Sequence, residues 1–276
     1  MIEKKFGIIG KPLAHSPSPI LHNYWFQKNK IFANYSIIEI EQNQIQDIIL
    51  KIRNGKLQGI NVTVPYKQAV IPFVDILVDD AKKTNSVNTL SLNEKGKIVG
   101  NNTDVYGIEM SFLKKFQSHK LESKKILILG AGGVAPSVIY ALSKNKIKKI
   151  FISNRTLKKA EEIKKRFPFI EILKWKNVET EVKNMDVIVN ATSLGMKGGH
   201  DFNYVFKSIK SDLIYFDVIY NPEQTKMTKK LKKKNIQTIN GLEMFIYQGQ
   251  KSFFLWNTIK PEINEELKRT VISELK

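Results

Sequence analysis

The stretch ILILGAGGVA, residues Ile126–Ala135, gives the strongest indication of the fold of this chain. Its four apolar residues predict a buried strand, and the glycines after them predict a tight turn into a helix. Glycines let a backbone turn sharply and approach a pyrophosphate, whose charge is stabilised at the N-terminus of the following helix. The third small position of this fingerprint holds Ala135. Glycine turns also occur without a ligand, so the stretch indicates, but does not establish, a dinucleotide-binding unit.

The segment after the next predicted strand indicates which dinucleotide would bind. Asn154, Arg155 and Thr156 stand about twenty residues beyond the glycine turn, and Lys158 and Lys159 follow. An NAD-dependent enzyme places Asp or Glu there, on the ribose hydroxyls. A cation in that position favours a 2′-phosphate, which predicts NADP(H) as the cofactor. A surface arginine without a ligand is the alternative.

Short β-branched runs alternate with helical periodicity along most of the chain, which predicts parallel sheets covered by helices. Ile45, Ile48, Ile49 and Ile52 recur at helical spacing, and a helix is predicted from Val134 to Leu142. The predicted strands are Phe6–Ile9, Tyr35–Ile40, Gly59–Val64, Ile126–Gly130, Ile150–Ser153, Val187–Asn190, Leu213–Val218 and Ile236–Ile239.

The position of the glycine turn predicts two α/β domains. A doubly wound unit needs roughly 110–130 residues, so we expect it to end near Ile239. Residues 105–239 would form this doubly wound (Rossmann) NADP-binding domain. Residues 1–104 and 240–276 would form the substrate-binding and catalytic domain. Two predicted C-terminal helices, the second beginning by Pro261, lack strands of their own and are expected to return to the first domain.

Composition excludes several classes of function. The formal net charge is +19, but only four of the 45 cationic residues are arginine. Specific base recognition depends on bidentate arginine, so nucleic acid is not an expected partner. No apolar run is long enough to span a bilayer. The chain has no cysteine, which excludes disulfides and thiolate metal sites and favours a cytoplasmic location.

A metal site is also not expected, because the few histidines do not cluster with one another or with carboxylates. They are dispersed along the chain at His15, His22, His119 and His200. We therefore predict a reaction that requires no metal ion.

Polar residues in the first 110 positions are candidates for binding a small ligand. Ser16 and Ser18 stand two residues apart and are flanked by prolines, so both hydroxyls can face one ligand. A turn followed by a helix cap is the alternative. Alternation along the third predicted strand places Asn61 and Thr63 on one side of it, and Lys67 follows the strand end.

Asp104 lies in a second polar region, formed by SVNT at 86–89 and GNNTDVYG at 100–107. It precedes a predicted helix, so a helix-capping role is as compatible with the sequence as a catalytic one. Beyond the glycine turn, NATSLGM at 190–196 and DVIYNP at 217–222 follow apolar strands. Both therefore lie at strand ends on the cofactor side of a doubly wound sheet. The segment NGLEMFIYQGQ, at 240–250, opens the returning helix.

These blocks, in this order, resemble the shikimate dehydrogenase family from about residue 6 to residue 256. The combination of SPSP, NVTVPxK, NTD and GAGG is specific to it. The resemblance implies reversible hydride transfer between NADPH and the ring ketone of 3-dehydroshikimate, a step in chorismate and aromatic amino acid biosynthesis. It also implies a monomer or homodimer whose partner is this small molecule.

Residue roles follow from the same resemblance. Lys67 and Asp104 would be the catalytic pair, and Asp104 would also contact the substrate. The other substrate-binding residues would be Ser16, Ser18, Asn61, Thr63, Asn88, Tyr220 and Gln248. The cofactor-binding residues would be Gly130, Ala131, Gly132, Gly133, Ala135, Asn154, Arg155, Thr156, Thr192, Gly241 and Met244.

One residue departs from the family pattern, and two other functions stay open. Glu243 stands where a small or neutral residue is expected, which weakens the assignment of Met244 beside it. A dehydrogenase that also accepts quinate is the alternative within the enzyme class. Outside that class, the alternative is a non-catalytic ligand sensor of the same fold, which should lack the pair formed by Lys67 and Asp104.

Overall fold

The computed structural model describes residues 2–13, 16–202, 204 and 206–275, so His15 lies outside the described residues. The chain divides into two compact units. The first comprises Met1–Gly107 with Ile246–Lys276, and the second comprises Ile108–Phe245. The two-domain α/β fold and the return of the C-terminal helices to the first unit are thereby confirmed. The boundaries at 104/105 and 239/240 stay a prediction.

The first unit contains a six-stranded sheet in the order β2-β1-β3-β5-β6-β4. Strand β1 pairs in parallel with β2 and β3, whereas β5 is antiparallel to both β3 and β6. The strands are β1 (Lys4–Gly10), β2 (Ala33–Glu39), β3 (Gly59–Val62), β4 (Ile76–Leu77), β5 (Thr89–Leu92) and β6 (Ile98–Asn101).

The prediction of wholly parallel sheets is therefore wrong for the first unit. A tight turn joins β5 to β6, with Gly96 at a φ of +68°. Asn93 Oδ1 accepts hydrogen bonds from the backbone N–H groups of Lys95 and Lys97, which stabilises this turn. A connection this short can only join antiparallel strands. Strands β4, β5 and β6 have two to four residues, too few for an apolar period to show.

Helices of the first unit cover this sheet. In α2 (Ile45–Arg53), the four isoleucines at helical spacing are all buried, as predicted, and pack with Ile60 and Val62 of β3. The last helix begins later than predicted, because Asn264 caps it by accepting a hydrogen bond from the N–H of Leu267 at 2.9 Å. The helices are α1 (Ser18–Lys28), α2, α3 (Asp79–Thr84), α4 (Asp104–Ile108), which ends in the second unit, α9 (Leu242–Asn257), which begins there, and α10 (Glu265–Glu274).

The second unit contains a six-stranded sheet in the order β12-β11-β10-β7-β8-β9, and every pairing in it is parallel. The chain reverses its winding between β7 and β10, which is where a doubly wound sheet binds its ligand. The strands are β7 (Ile126–Leu129), β8 (Ile150–Ser153), β9 (Glu171–Ile172), β10 (Val187–Asn190), β11 (Ile214–Asp217) and β12 (Gln237–Ile239). The helices are α5 (Ala135–Lys144), α6 (Leu157–Arg166), α7 (Val178–Glu181) and α8 (Lys226–Lys232).

Within the described ranges, no helix combines the length and apolar character that a membrane span requires.

His22 is fully buried among aromatic rings in the first unit. Its ring stacks on Tyr35 with centroids 4.4 Å apart, and the centroids of Trp25 and Trp256 lie 5.7 and 5.3 Å away. Burial disfavours the charged imidazolium and lowers the pKa of His22 from 6.5 to about 3. The histidine is therefore neutral in the folded protein at neutral pH.

This burial predicts a pH-dependent stability. Between pH 6.5 and about 3, the unfolded chain binds a proton at His22 that the folded chain does not. The free energy of unfolding should therefore fall as the pH falls below 6.5, by up to about 1.4 kcal/mol per pH unit from this group. Urea unfolding of the wild type and of His22→Phe between about pH 7 and pH 5 measures the pH dependence of the free energy of unfolding. This dependence should be weaker in the variant.

His119→Phe is the matched control, because His119 is exposed. If the free energy of unfolding depends on pH equally in the wild type, His22→Phe and His119→Phe, then the burial of His22 is not its cause.

Candidate functional site

The side chains of Lys67, Asp104 and Asn88 form a largely buried polar cluster in the first unit. Lys67 Nζ donates to Asp104 Oδ2 at 2.6 Å, and Asn88 Nδ2 donates to Asp104 Oδ1 at 2.9 Å. The side chains of Lys67 and Asp104 are only 16% and 8% exposed. An ion pair shielded from water in this way is stronger than one at the surface. Both carboxylate oxygens are held, so the direction in which the lysine ammonium points is fixed.

Local turns place this pair. The predicted strand Gly59–Val64 ends earlier, at Val62, because the carbonyl of Thr63 accepts a hydrogen bond from the N–H of Tyr66 at 2.9 Å and starts a turn. Lys67 lies in that turn. Asp104 is the first residue of α4, and its N–H donates to Asn102 Oδ1 at 3.0 Å. Asn102 thus provides the side-chain acceptor at the start of α4. The Asp104 carboxylate instead accepts hydrogen bonds from Lys67 and Asn88.

Asn61 lies beside this cluster and is itself buried. Its Nδ2 lies 3.0 Å from the hydroxyls of Thr89 and Ser252 and 3.1 Å from the carbonyl oxygen of Asn88. Its Oδ1 accepts from the hydroxyl of Tyr35 at 2.8 Å. Thr63 lies one residue past the end of β3, where its N–H still donates to the carbonyl of Ile9 at 2.9 Å, so the expectation that it shares one side of the strand with Asn61 stays a prediction. The structure brings Asn61 together with Asn88.

Gln248 joins the same network through α9. Thr103 Oγ1 donates to Asn88 Oδ1 at 3.1 Å and to Gln248 Oε1 at 3.4 Å. Ser252 lies one helical turn after Gln248, and its hydroxyl is 3.2 Å from that of Thr103 and 2.8 Å from that of Thr89. The sequence analysis missed Thr89, Thr103 and Ser252. The spacing of four between Gln248 and Ser252, which places both on one helix face, was the signal available for the serine.

The hydroxyls of Ser16 and Ser18 are adjacent in space. Ser16 Oγ donates to Ser18 Oγ at 3.2 Å. Ser18 is buried as the first residue of α1, and its N–H donates to Ser16 Oγ at 3.4 Å, so a turn that leads into the helix remains the alternative for this segment. Tyr35 links the serines to Asn61: burial raises the pKa of Tyr35 well above 10, and a hydrogen bond with the Ser18 hydroxyl opposes this.

In the second unit, the glycine turn leaves open space in front of a helix. Gly130 has a φ of +105°, and an added Cβ would lie 2.7 Å from the carbonyl oxygen of Ala191, so only glycine fits. Gly132 and Gly133 are exposed, and a Cβ on Gly133 would meet no atom within 4 Å. Helix α5 begins two residues later, at Ala135, without a side-chain cap. This arrangement fits a pyrophosphate at the helix N-terminus.

Asn154, Arg155 and Thr156 follow β8, next to the glycine turn. Asn154 Oδ1 accepts from the N–H of Ala131 at 3.1 Å, and its Nδ2 donates to the carbonyl of Thr156 at 2.8 Å. Asn154 therefore ties the two cofactor segments together. Arg155 and Thr156 are exposed, as are Lys158 and Lys159. The cationic groups of Arg155, Lys158 and Lys159 can therefore meet a phosphate from solution.

The other predicted loop residues of the second unit, Thr192, Tyr220 and Gly241, follow β10, β11 and β12. Asn190 Oδ1 accepts from the N–H and the hydroxyl of Thr192, at 3.0 and 2.7 Å. The N–H of Gly241 donates to the carbonyl of Ile219 at 2.9 Å, and an added Cβ there would lie 2.0 Å from the carbonyl oxygen of Val218. The ring of Tyr220 packs on Phe245 at 4.8 Å.

Two neighbouring residues of α9 complete this set. Met244 is buried, at 6% exposure, and Glu243 is partly buried. Met244, a predicted cofactor residue, belongs to the second unit. Among the predicted substrate residues, Tyr220 belongs to the second unit and the others belong to the first.

The described part of the chain contains no group of three His, Asp or Glu side chains that could hold a metal ion.

Comparison with known proteins agrees with this geometry. The family model of the shikimate dehydrogenase substrate binding domain matches residues 8–90, and that of shikimate / quinate 5-dehydrogenase matches residues 112–244. The shikimate dehydrogenase (NADP(+)) of Pelagibacter ubique is 47% identical over 96% of this chain and 97% of its own.

Two solved structures share the fold over nearly the whole chain. The shikimate dehydrogenase from Aquifex aeolicus is 34% identical with a TM-score of 0.88, and covers 99% of both chains. A second shikimate dehydrogenase, in complex with NADP+, is 32% identical with a TM-score of 0.91, and covers 99% of this chain and 96% of its own.

The buried network predicts a stability cost for removing a single hydroxyl. Ser252→Ala would take a partner from Asn61, Thr89 and Thr103, all of which are buried. Because unsatisfied buried polar groups are costly, we expect the free energy of unfolding to fall by about 1–3 kcal/mol. Urea unfolding measures this loss.

The matched control is Ser273→Ala in α10, where the exposed hydroxyl donates to the carbonyl of Thr270. It should change the stability by less than about 0.5 kcal/mol. Equal effects of the two variants would show that the network around Ser252 contributes no stability of its own.

Proposed function

Because this chain belongs to the shikimate dehydrogenase family, we propose that it catalyses the reversible NADPH-dependent reduction of 3-dehydroshikimate to shikimate. The observation that carries the proposal is the shielded pair of Lys67 and Asp104, with 2.6 Å between Nζ and Oδ2. The pair distinguishes an enzyme from a non-catalytic sensor of the same fold, which has no need of a buried cation held by a carboxylate.

Lys67 supplies the charge and the proton that this reaction needs. NADPH, when bound, supplies the hydride. As the ring carbonyl is reduced, its oxygen gains negative charge, and the Lys67 ammonium stabilises that charge and donates a proton to the oxygen. Asp104 orients the ammonium, while Asn88 holds the other carboxylate oxygen in place. The lysine then regains its proton from solvent.

The surrounding polar groups suit a hydroxylated ring carboxylate. Ser16, Ser18, Thr63 and Gln248 offer hydroxyl and amide groups, which can donate to a carboxylate and exchange hydrogen bonds with ring hydroxyls. We assign Asn61 and Asn88, which are buried in the polar network of the first unit, to the substrate as well. Tyr220, which belongs to the second unit, stays a predicted substrate residue.

The second unit supplies the residues for NADP. Gly130, Ala131, Gly132, Gly133 and Ala135 would hold the pyrophosphate at the start of α5. Asn154, Arg155 and Thr156 would hold the adenosine phosphate, and Thr192, Gly241 and Met244 would contact the rest of the dinucleotide. The space above Gly133 and the exposed Arg155 support this assignment.

The remaining parts of the proposal concern the setting of the enzyme. We propose a cytoplasmic monomer or homodimer that acts on a small molecule and does not bind nucleic acid. The cysteine-free composition and the scarcity of arginine support this.

Removing the ammonium of Lys67 should depress turnover far more than substrate affinity. Its charge stabilisation develops in the transition state, so Lys67→Ala should lose about a thousandfold in kcat, equivalent to about 4 kcal/mol, with a modest change in KM. Single-turnover hydride transfer and shikimate binding, each with NADP⁺, measure the two effects separately. Near-normal transfer would refute the role of Lys67.

Asp104→Asn tests whether the two residues act as a pair. It should lower turnover and affinity together, and the double variant should lose less than the sum of the single losses. Strictly additive losses would refute the pairing. Parallel assays with quinate identify dual specificity. A folded wild type that oxidises neither shikimate nor quinate would refute the proposed enzymatic function and favour the ligand sensor.

The cofactor preference should depend on Arg155. Arg155→Asp should weaken NADP⁺ binding by about 1–3 kcal/mol, because a carboxylate repels the 2′-phosphate, and should affect NAD⁺ much less. KM values for both cofactors measure the difference. Arg269→Asp, an exchange of the same charge in α10 of the first unit, serves as control. Equal losses for NADP⁺ and NAD⁺ would contradict the assignment.

A further inference from the structure

Asp217 is a buried carboxylate at the end of β11, and the proposed reaction gives it no role. Its side chain is fully buried, and five donors surround its two oxygens. All five are neutral N–H or O–H groups. Burial raises the pKa of Asp217, and its hydrogen bonds oppose this. Because burying a charge is costly, a buried carboxyl group among neutral donors needs a structural or functional explanation.

One carboxylate oxygen of Asp217 faces the loops that carry Thr192 and Tyr220. Asp217 Oδ1 accepts from Asn190 Nδ2 at 3.0 Å and from the N–H of Ile219 at 3.1 Å. Asn190 in turn holds Thr192 through both its N–H and its hydroxyl, and its Nδ2 also donates to the carbonyl of Leu194 at 3.2 Å. Asp217 therefore connects the loop after β10 with the loop that leads to Tyr220.

The other oxygen faces the interior of the second unit. Asp217 Oδ2 accepts from the hydroxyl of Thr225 at 2.8 Å, that of Thr228 at 3.3 Å and that of Tyr215 at 3.4 Å. Thr225 is the N-cap of α8, and Thr228 lies in its first turn. These contacts fix the carboxylate to α8 and β11, so the two loops are held against rigid elements.

We propose that Asp217 is a positioning residue for the cofactor: it sets the loop of Thr192 and the backbone of Ile219, whose carbonyl accepts from the N–H of Gly241, in the conformation that binds NADP. This inference rests on the proposed function. The essential feature is an acceptor oxygen shared by Asn190 and Ile219, rather than the negative charge. Asparagine can supply the same oxygen, because the threonine hydroxyls can reverse and accept from its amide.

The experiment compares three variants by titrating NADP⁺ into the folded protein. Asp217→Ala removes the shared acceptor and should raise the Kd for NADP⁺ about tenfold. Asp217→Asn should stay within about twofold of the wild type, because it keeps that acceptor. Thr228→Ala is the control: it removes one contact on the interior side of the carboxylate, so it should lower the melting temperature without changing the Kd.

The outcomes separate positioning from mere stability. An unchanged Kd in folded Asp217→Ala would overturn the proposal, as would Asp217→Asn that binds as weakly as Asp217→Ala. If Asp217→Ala does not fold, Asn190→Ala breaks the same link from the other side, and full NADP⁺ affinity in it would overturn the proposal.

Two results in the wild type separate this proposal from the proposed function. A wild type that binds NADP⁺ but does not oxidise shikimate would overturn the proposed function and leave the comparison of Kd values valid. A wild type that does not bind NADP⁺ would overturn both.

Discussion

The side chain of Asn88 carries the hydrogen bonds on which the polar cluster of the first unit depends. Its Nδ2 holds Asp104, and its Oδ1 accepts from the N–H of Thr103 at 2.8 Å and from the hydroxyls of Thr103 and Thr89. The carbonyl of Asn88 accepts from the N–H of Val62 as well as from Asn61. Buried polar groups are costly unless each finds a partner. Because one amide satisfies groups from several segments, the position of the Asp104 carboxylate is fixed together with theirs.

In the second unit, close contact between backbone segments holds the predicted site residues in place. Gly130 lies against Ala191, and Gly241 lies against Val218, at distances that leave no room for a Cβ. The carboxyl ends of β7, β10 and β11 are thereby packed tightly, and polar side chains and the exposed Gly132 and Gly133 lie at this end of the parallel sheet. Asp217 adds an anchored carboxylate to this end. The two units thus use different physical means, a hydrogen-bond network and glycine packing, to hold functional groups in place.

The sequence predicted the second unit better than the first, for a physical reason. Buried parallel strands such as Ile126–Leu129 and Val187–Asn190 are continuous apolar runs, and both are fully buried in the structure. The antiparallel strands Thr89–Leu92 and Ile98–Asn101 are four residues long and mix polar with apolar side chains, so no period identifies them. The start of α10 depends on the side chain of Asn264, and a Pro at 261 gave the wrong boundary.

By itself, the sequence determined that the chain folds as two α/β domains, that a glycine turn precedes α5, and that the polar motifs belong to one family. These properties are local: apolar runs, glycine spacing and short polar motifs are visible in consecutive residues. The family resemblance paired Lys67 with Asp104, but only the tertiary structure shows that Nζ and Oδ2, from residues 37 positions apart in the chain, lie 2.6 Å from each other. The tertiary structure also decided that Thr103 and Ser252, 149 positions apart, share a hydrogen bond, and that five donors surround Asp217. Such contacts depend on strand order and helix return, which bring distant segments together and leave no trace in the neighbouring residues.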